Sequence, residues 1–473
     1  MVGPSQRRFR EAFMNSQVPR GVLAPLALAQ FICSFAGSNM NVMINDISED
    51  LNTTVQGIQI VITIFLLVMA AFMIPGGKLT EKFGRKRCFV VGLLLYGVGA
   101  LLSAISPGLG VLILGNSLLE GIGTALLIPP VYILTTLLYP DLTSRARAFG
   151  TISALGGVGA AAGPLIGGLI TSSLSWRMAF VFQTLVIAVI LVLSRKVPDP
   201  LPADPTKPFD VVGAVLSALG LILLVTGIMA TDNNAWLAVA LIVAGVAVLW
   251  LFFRSVRTKE RAGQEPLLSM RVFASRTANL GLITQNAQWL ILMGTSFVVS
   301  AYLQVVRGYN AIETGIIFTG ATVGLLLASL GAERFATRRA QRTLIVAGFA
   351  ITVAGVAILL TEVAVSDRAV AFEPGLLLIG FGLGAMLTPS VNIVQSAFSD
   401  DLQGEISGLS RSVSNLGSTL GTAVAGTILV AGIAATPERA YGLAMAVLAV
   451  IGVVGMVVAL LLPRVNAGVV EVR

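Results

Sequence analysis

The chain holds 473 residues, 56% hydrophobic and only 11% charged, against about 25% charged in an ordinary soluble domain. So little polar side chain cannot cover a soluble globule of this length, and the solvent that remains is lipid. A net charge of +8 would suit nucleic acid, but the basic residues sit in short clusters between long apolar runs, which excludes a nucleic-acid surface.

The chain has no histidine, which excludes imidazole metal sites and a Ser-His-Asp triad. Cys33 and Cys88 are the two cysteines and imply no disulfide framework. No catalytic constellation, metal site or cofactor site is recognisable, so no enzyme is expected.

In chain order, residues 1–20 are basic and polar, without an early apolar core, and are expected to form a cytoplasmic tail rather than a cleaved signal peptide. Apolar runs long enough to span follow at 22–44, 56–76, 87–105, 109–137, 148–171 and 178–194. A second series lies at 210–230, 235–253, 277–303, 312–332, 343–361, 373–398, 406–432 and 440–462. About 20 helical residues cross the hydrocarbon at about 1.5 Å each. An all-α membrane protein of about 14 transmembrane helices is therefore expected.

With the N-terminus inside, 27 of the 31 basic residues fall on cytoplasmic segments, and only Arg177, Arg307, Arg368 and Arg439 fall outside. This bias places both termini in the cytoplasm of a bacterial-type inner-membrane protein. Trp176, Trp236 and Trp250 are expected as interface anchors. Asp46, Glu49 and Asp50, with no basic residue nearby in sequence, are expected in a solvated outer loop.

Internal repetition organises the series. Gly121, Gly123 and Pro129 recur as Gly380, Gly382 and Pro389, and Gly159, Gly163 and Gly168 as Gly417, Gly421 and Gly426. The offsets agree near 258 residues and keep the same order. The division that follows is a tail at 1–20, a six-helix bundle at 21–195 and two inserted helices with a linker at 196–275. A second six-helix bundle at 276–463 and a tail at 464–473 complete it. Two such pseudo-symmetric halves around a midplane site are the plan of many secondary transporters.

Two motifs carry chemistry. After the second run stands Gly77-Lys78-Leu79-Thr80-Glu81-Lys82-Phe83-Gly84-Arg85-Lys86-Arg87. Its glycines permit a tight turn, and Glu81 is placed to pair with basic residues or a helix end of the neighbouring bundle. The fifth run carries Gly159, Gly163, Pro164, Gly167 and Gly168. Small residues one turn apart let a facing helix approach, and the proline bends its helix.

The first motif resembles the loop signature of the major facilitator superfamily, and the second its antiporter signature g-x-x-x-G-P-x-x-G-G. Ser175-Trp176-Arg177, Phe209-Asp210, Tyr302-Leu303-Gln304 and Arg307-Gly308-Tyr309, with the extra helix pair, resemble the fourteen-helix drug–proton antiporters within it. The resemblance covers nearly the whole chain. It implies the major facilitator fold and export of lipophilic or cationic small molecules driven by proton entry. Three positions depart from that family: the usual first-helix Asp is replaced by Ala36, and the fourth-helix Arg and Gln by Ser117 and Glu120.

Glu120 lies about 11 residues, or roughly 16 Å, into the fourth run. An acid at that depth should face the cavity or hold a proton much of the time, which makes it the candidate for proton coupling. A contact to a cationic substrate and a hydrogen-bonded structural role are the alternatives. Asn116 and Ser117 precede it on what the α-helical period makes one face and are expected to line the substrate cavity. A polar stripe on the first run, Gln30, Ser34, Ser38, Asn41 and Asn45, is expected to line the cavity. Gln285, Gln288, Trp289, Asn392, Gln395 and Asn415 are expected to line it from the second half, Trp289 as a stacking surface.

The expected function is a secondary exporter working by alternating access as a monomer in the lipid bilayer. A facilitator or lipid-type exporter without standard proton coupling, and a non-transporting membrane scaffold, are the alternatives.

Overall fold

The computed structural model describes residues 21–139, 142–199, 203–232, 234–336, 341–365, 369–398 and 402–463. The two expected tails, 1–20 and 464–473, lie outside the described residues. The first series comprises α1 (Leu23–Asp50), α2 (Val55–Phe83), α3 (Arg85–Ala104), α4 (Leu109–Leu138), α5 (Leu142–Ser173) and α6 (Trp176–Ser194). The inserted pair is α7 (Val211–Met229) and α8 (Ala235–Arg261). The last six are α9 (Arg276–Val306), α10 (Ala311–Ile317 and Thr319–Ala336), α11 (Gln341–Val365), α12 (Phe372–Gln395), α13 (Gln403–Gly432) and α14 (Pro437–Leu460).

Among the described residues thirteen helices are long and apolar enough to cross a membrane, and the bent α5 makes fourteen. Its bend of 43° falls between Ala160 and Ala162. Pro164 clashes with the carbonyl four residues earlier, at Ala160, and places the bend there. Several helices outrun the apolar pattern: α1 continues through Asn45, Asp46 and Glu49, and α8 through Arg254, Arg257 and Arg261. Hydropathy marks the part of a helix in lipid, whereas backbone hydrogen bonds continue until a cap stops them.

Packing follows the small residues. A Cβ on Gly92 would meet the Gly123 carbonyl at 2.8 Å, and one on Gly99 the Gly115 carbonyl at 2.6 Å, so α3 and α4 lie nearly backbone to backbone. α1 packs on α5, α9 on α13, and α12 on both α10 and α11. Across the two series, α2 runs antiparallel to α13, and α5 meets α10.

The inserted helix α7 lies over the α2–α13 seam, where Val225 and Leu221 pack with Leu67, Ala423 and Leu420. α8 presents Trp236, Val239, Val243, Val246 and Trp250 outward, a face suited to lipid and to the expected anchoring role of its tryptophans.

Trp176 departs from that expectation, being 3% exposed. Its indole donates to Asp50 Oδ2 at 3.1 Å, and Arg177 forms an ion pair with the same carboxylate and stacks on the indole. The acidic end of α1 therefore does have a basic partner, brought from 127 positions away. This pairing also accounts for an arginine on the sparsely basic end of the bundle.

Candidate functional site

Glu120 ends a π-helical segment, Ile113–Glu120, within α4, and is fully buried. Asn116 Nδ2 donates to its Oε2 at 3.4 Å, and Ser103 Oγ on α3 lies 3.4 Å from its Oε1. Its side chain lies against Gly99 of α3, where a Cβ would come within 2.9 Å of the Glu120 Cγ. The acid is thus held between α3 and α4, inside the first series, rather than facing the seam between the two series. Ser117 parts from Asn116: its hydroxyl donates to the Val61 carbonyl of α2 at 2.7 Å. The wider π turn keeps Asn116 near the face of Glu120 and carries Ser117 off it, which an α-helical period does not anticipate.

The polar stripe of α1 divides into three. Gln30 and Ser34 belong to a directional chain that crosses the seam. Arg411 of α13 donates to the Tyr132 hydroxyl of α4, Tyr132 donates to Gln30 Oε1 at 3.2 Å, and Gln30 Nε2 donates to Ser34 Oγ at 3.2 Å. The Arg411 guanidinium also lies 4.8 Å from the Tyr132 ring centroid, and Phe149 stacks on that ring.

Ser38 turns away from any central space. It bonds back to the Phe35 carbonyl at 3.2 Å and covers Gly163, where a Cβ would meet its Oγ at 2.0 Å. Asn41 and Asn45 close the end distant from the basic clusters. Asn41 Nδ2 donates to Ser296 Oγ at 3.0 Å, and Gln304 bonds the Asn41 carbonyl at 2.7 Å and the Asn45 amide at 3.1 Å. Asn45 Nδ2 also donates to Glu49 at 2.8 Å. The 3₁₀ turn Met40–Met43 interrupts α1 and shifts the later part of the stripe.

In the second series, Gln285 Oε1 accepts from Ser410 Oγ at 2.9 Å, and Gln288 Nε2 donates to the Leu383 carbonyl at 3.2 Å. Both tie helices together within that series. Trp289 and Asn415 are half-buried, Gln395 lies 3.5 Å from Ser407 Oγ, and Asn392 is exposed at the basic end of α12. The site residues that sequence reasoning missed are Arg411 and Tyr132. Arg411 lies among Ser407, Ser410 and Ser414, a polar setting in an otherwise apolar run, and that was the available signal.

The loop motif is mostly helix. α2 continues through Gly77 to Phe83, and the turn is made by Gly84 alone, whose φ of +94° favours glycine. Gly77 has ordinary space, 3.7 Å to the Pro129 Cβ, whereas a Cβ on the preceding Gly76 would meet the Ala125 carbonyl at 2.3 Å. Glu81 does not reach the neighbouring bundle: Lys207, just ahead of α7, pairs with it at 2.6 Å. The bridge to the other series comes from Lys78, which pairs with Glu405 at the start of α13 at 2.9 Å.

Glu405 Oε2 also accepts the Ser269 amide at 3.0 Å, and Ser269 Oγ donates to Glu260 of α8 at 2.7 Å. The inserted pair is fastened to the same latch. Arg85 and Lys86 begin α3, where the Lys86 amide donates to Asp199 at 3.0 Å.

The α5 motif serves two partners. A Cβ on Gly159 would meet the Phe31 carbonyl of α1 at 2.2 Å, and one on Gly167 the Asn39 Cβ at 3.0 Å. One on Gly168 would meet the Ala311 carbonyl of α10 at 2.4 Å, and one on Gly315 of α10 would meet the Pro164 carbonyl at 2.5 Å. The motif therefore packs α5 inside its own series and, at the end opposite the Lys78 latch, against the other. Between the ends, Gln59 of α2 donates to the Thr422 carbonyl at 3.0 Å, and Ser412 to the Ala70 carbonyl at 2.6 Å.

Comparison with known proteins agrees with this geometry. The family model of the Major Facilitator Superfamily matches residues 26–231 and 211–422. The puromycin resistance protein pur8 of Streptomyces alboniger is 30% identical over 413 residues, covering 86% of this chain and 81% of that protein. The multidrug efflux pump LfrA of Mycolicibacterium smegmatis is 26% identical over 418 residues, covering 86% and 80%. In fold alone, a crystal structure of the peptide transporter POT in complex with sulfate is similar, with a TM-score of 0.69, 17% identity and coverage of 98% and 99%. Helix number, the two-ended seam and the sequence match together make this multi-pass membrane protein a secondary transporter that belongs to the Major Facilitator Superfamily.

Proposed function

We propose that the chain exports small lipophilic or cationic molecules across a bacterial cytoplasmic membrane by alternating access, with Glu120 exchanging the coupling proton. The moving parts are residues 21–195 and 276–463, with 196–275 as inserted helices and linker and both termini in the cytoplasm. One chain holds both faces of the seam, which suits a transporter that works as a monomer.

The observation that carries the reading is the seam itself. Among the described residues it is fastened at the basic end by the ion pair Lys78–Glu405 and the hydrogen bond from Arg411 to Tyr132, and at the other by glycine-to-carbonyl contacts and a few amide hydrogen bonds. Links of this kind break and re-form at about 1–3 kcal/mol each, so either end can open while the other stays shut. The names of relatives such as pur8 and LfrA favour export of drug-like compounds.

Proton coupling rests on Glu120 as a buried carboxyl inside the membrane. Held inside the first series, it would act on transport by altering α3–α4 packing rather than by touching substrate. The test is Glu120→Gln in proteoliposomes with an imposed pH gradient. Substrate movement should lose its dependence on the gradient while counterflow exchange persists, and undiminished gradient-driven transport sinks the proton role.

A second reading, a facilitator without standard proton coupling, is favoured by Ala36 and Ser117 at the expected charged positions and by Ser117 being engaged with Val61. Collapsing the gradient separates the two, because a facilitator still equilibrates its substrate.

A further inference from the structure

Where α3 begins and α6 ends, the surface holds a concavity of about 430 Å³ lined by Lys86, Val90, Leu191, Val192, Ser194 and Arg195. Its rim is cationic. Lys86 and Arg195 line it, and their chain neighbours Arg87 and Lys196 are exposed, as is Arg195. Among the described residues none of the four has a carboxylate within ion-pair distance. Lys86 spends one donor on the Arg195 carbonyl at 3.2 Å, which caps the end of α6. The acid beside them is Asp199, and its Oδ2 already accepts the Lys86 amide. The first turn of α3 adds the positive end of its helix dipole.

The concavity itself is lined by the apolar Val90, Leu191 and Val192, and beyond it the two helices expose apolar side chains. α3 offers Val91, Leu94, Val98 and Leu101, and α6 offers Val192, Val189 and Leu185. From Val91 to Leu101 is ten residues, or about 15 Å. That is half of a hydrocarbon core of about 30 Å, and so one leaflet deep.

We propose that this furrow is a binding site for an anionic glycerophospholipid of the leaflet at the basic end. Its phosphate sits between Lys86 and Arg195, and an acyl chain lies along the α3–α6 rails. A free phosphate would use the rim and leave the rails idle. A zwitterionic lipid would bring a further cation to a rim lined by Lys86 and Arg195, so charge selects a net-negative headgroup.

The experiment uses the purified full-length chain in detergent, titrated with phosphatidylglycerol, phosphatidylcholine or glycerol phosphate, with bound lipid counted by native mass spectrometry. Phosphatidylglycerol should bind saturably at one tight site, phosphatidylcholine weakly, and glycerol phosphate not at all. Lys86→Gln with Arg195→Gln should weaken phosphatidylglycerol on the order of 30-fold, while Arg261→Gln, an exposed site on α8, should change nothing. Should the double variant be poorly folded, Val192→Trp, at an exposed wall position, should reduce retention by blocking the furrow with the charges intact. Equal retention of the two lipids, retention unchanged in both the double variant and Val192→Trp, or glycerol phosphate binding as well as phosphatidylglycerol would each overturn the proposal.

Discussion

Replacing Lys78 with Met removes the one ion pair that, among the described residues, joins α2 to α13 at the basic end. Both partners are shielded, with side-chain exposures of 21% and 22%, and their hydrogen bond is charge-assisted at 2.9 Å. Bonds of this kind contribute about 1.5–3 kcal/mol. The latch exists only when the basic end is closed, so its loss should shift the closed-to-open ratio by about 10- to 150-fold, at about 1.4 kcal/mol per factor of ten.

Spin labels at Phe83 and Asn392, exposed residues at the basic ends of α2 and α12, report the opening as a distance distribution. The variant should show a longer component that is minor in the parent chain. The exchanged pair Lys78→Glu with Glu405→Lys should restore most of the short distance, less whatever the Ser269 amide contributes to Glu405. An unchanged distribution in Lys78→Met refutes the latch. A longer distance that the exchange fails to shorten refutes the ion pair as its cause.

Two further outcomes follow from the packing and the loops. Gly315→Ala drives a Cβ into the Pro164 carbonyl from 2.5 Å and should wedge α5 from α10 at a cost of about 1–3 kcal/mol. A cysteine at Thr171, 6% exposed, should then be labelled about 5- to 150-fold faster by a membrane-impermeant maleimide, and an unchanged rate would mean the contact relaxes elsewhere.

Burial pushes the Asp210 carboxyl up, but hydrogen bonds from Lys259 and from the Gly213 and Leu267 amides outweigh it and hold the group below its ordinary value of 3.8. Its contribution to docking α7 and α8 is therefore present above that value and lost as pH falls through the lower, folded value. Asp210→Asn should lower the thermal unfolding midpoint at neutral pH and lose less on acidification than the parent, and equal midpoints at neutral pH would remove the node from the account.

Much of the fold was legible because hydropathy and charge bias act locally. The spans, the repeat near 258 residues and the inserted pair at 210–253 follow from runs of residues, and a lipid solvent leaves a chain with such runs few alternatives to helices. The two motifs were legible as motifs, and Glu120 as the deep acid of α4. Their partners were not.

Which carboxylate Lys78 finds, that Glu81 turns to Lys207, and that Asp50 receives Arg177 and Trp176 depend on helices distant in sequence meeting at one end of a bundle. Ser117 left the Glu120 face because a π turn changes the helical period, and Ser38 was lost to the cavity because Gly163 leaves room for it. The sequence by itself determined which segments enter the membrane, since transfer into lipid depends on each residue's own chemistry. Only the tertiary structure decided which polar groups face the seam and which are spent inside a bundle, since that depends on helix rotation and on the backbone approach its glycines allow.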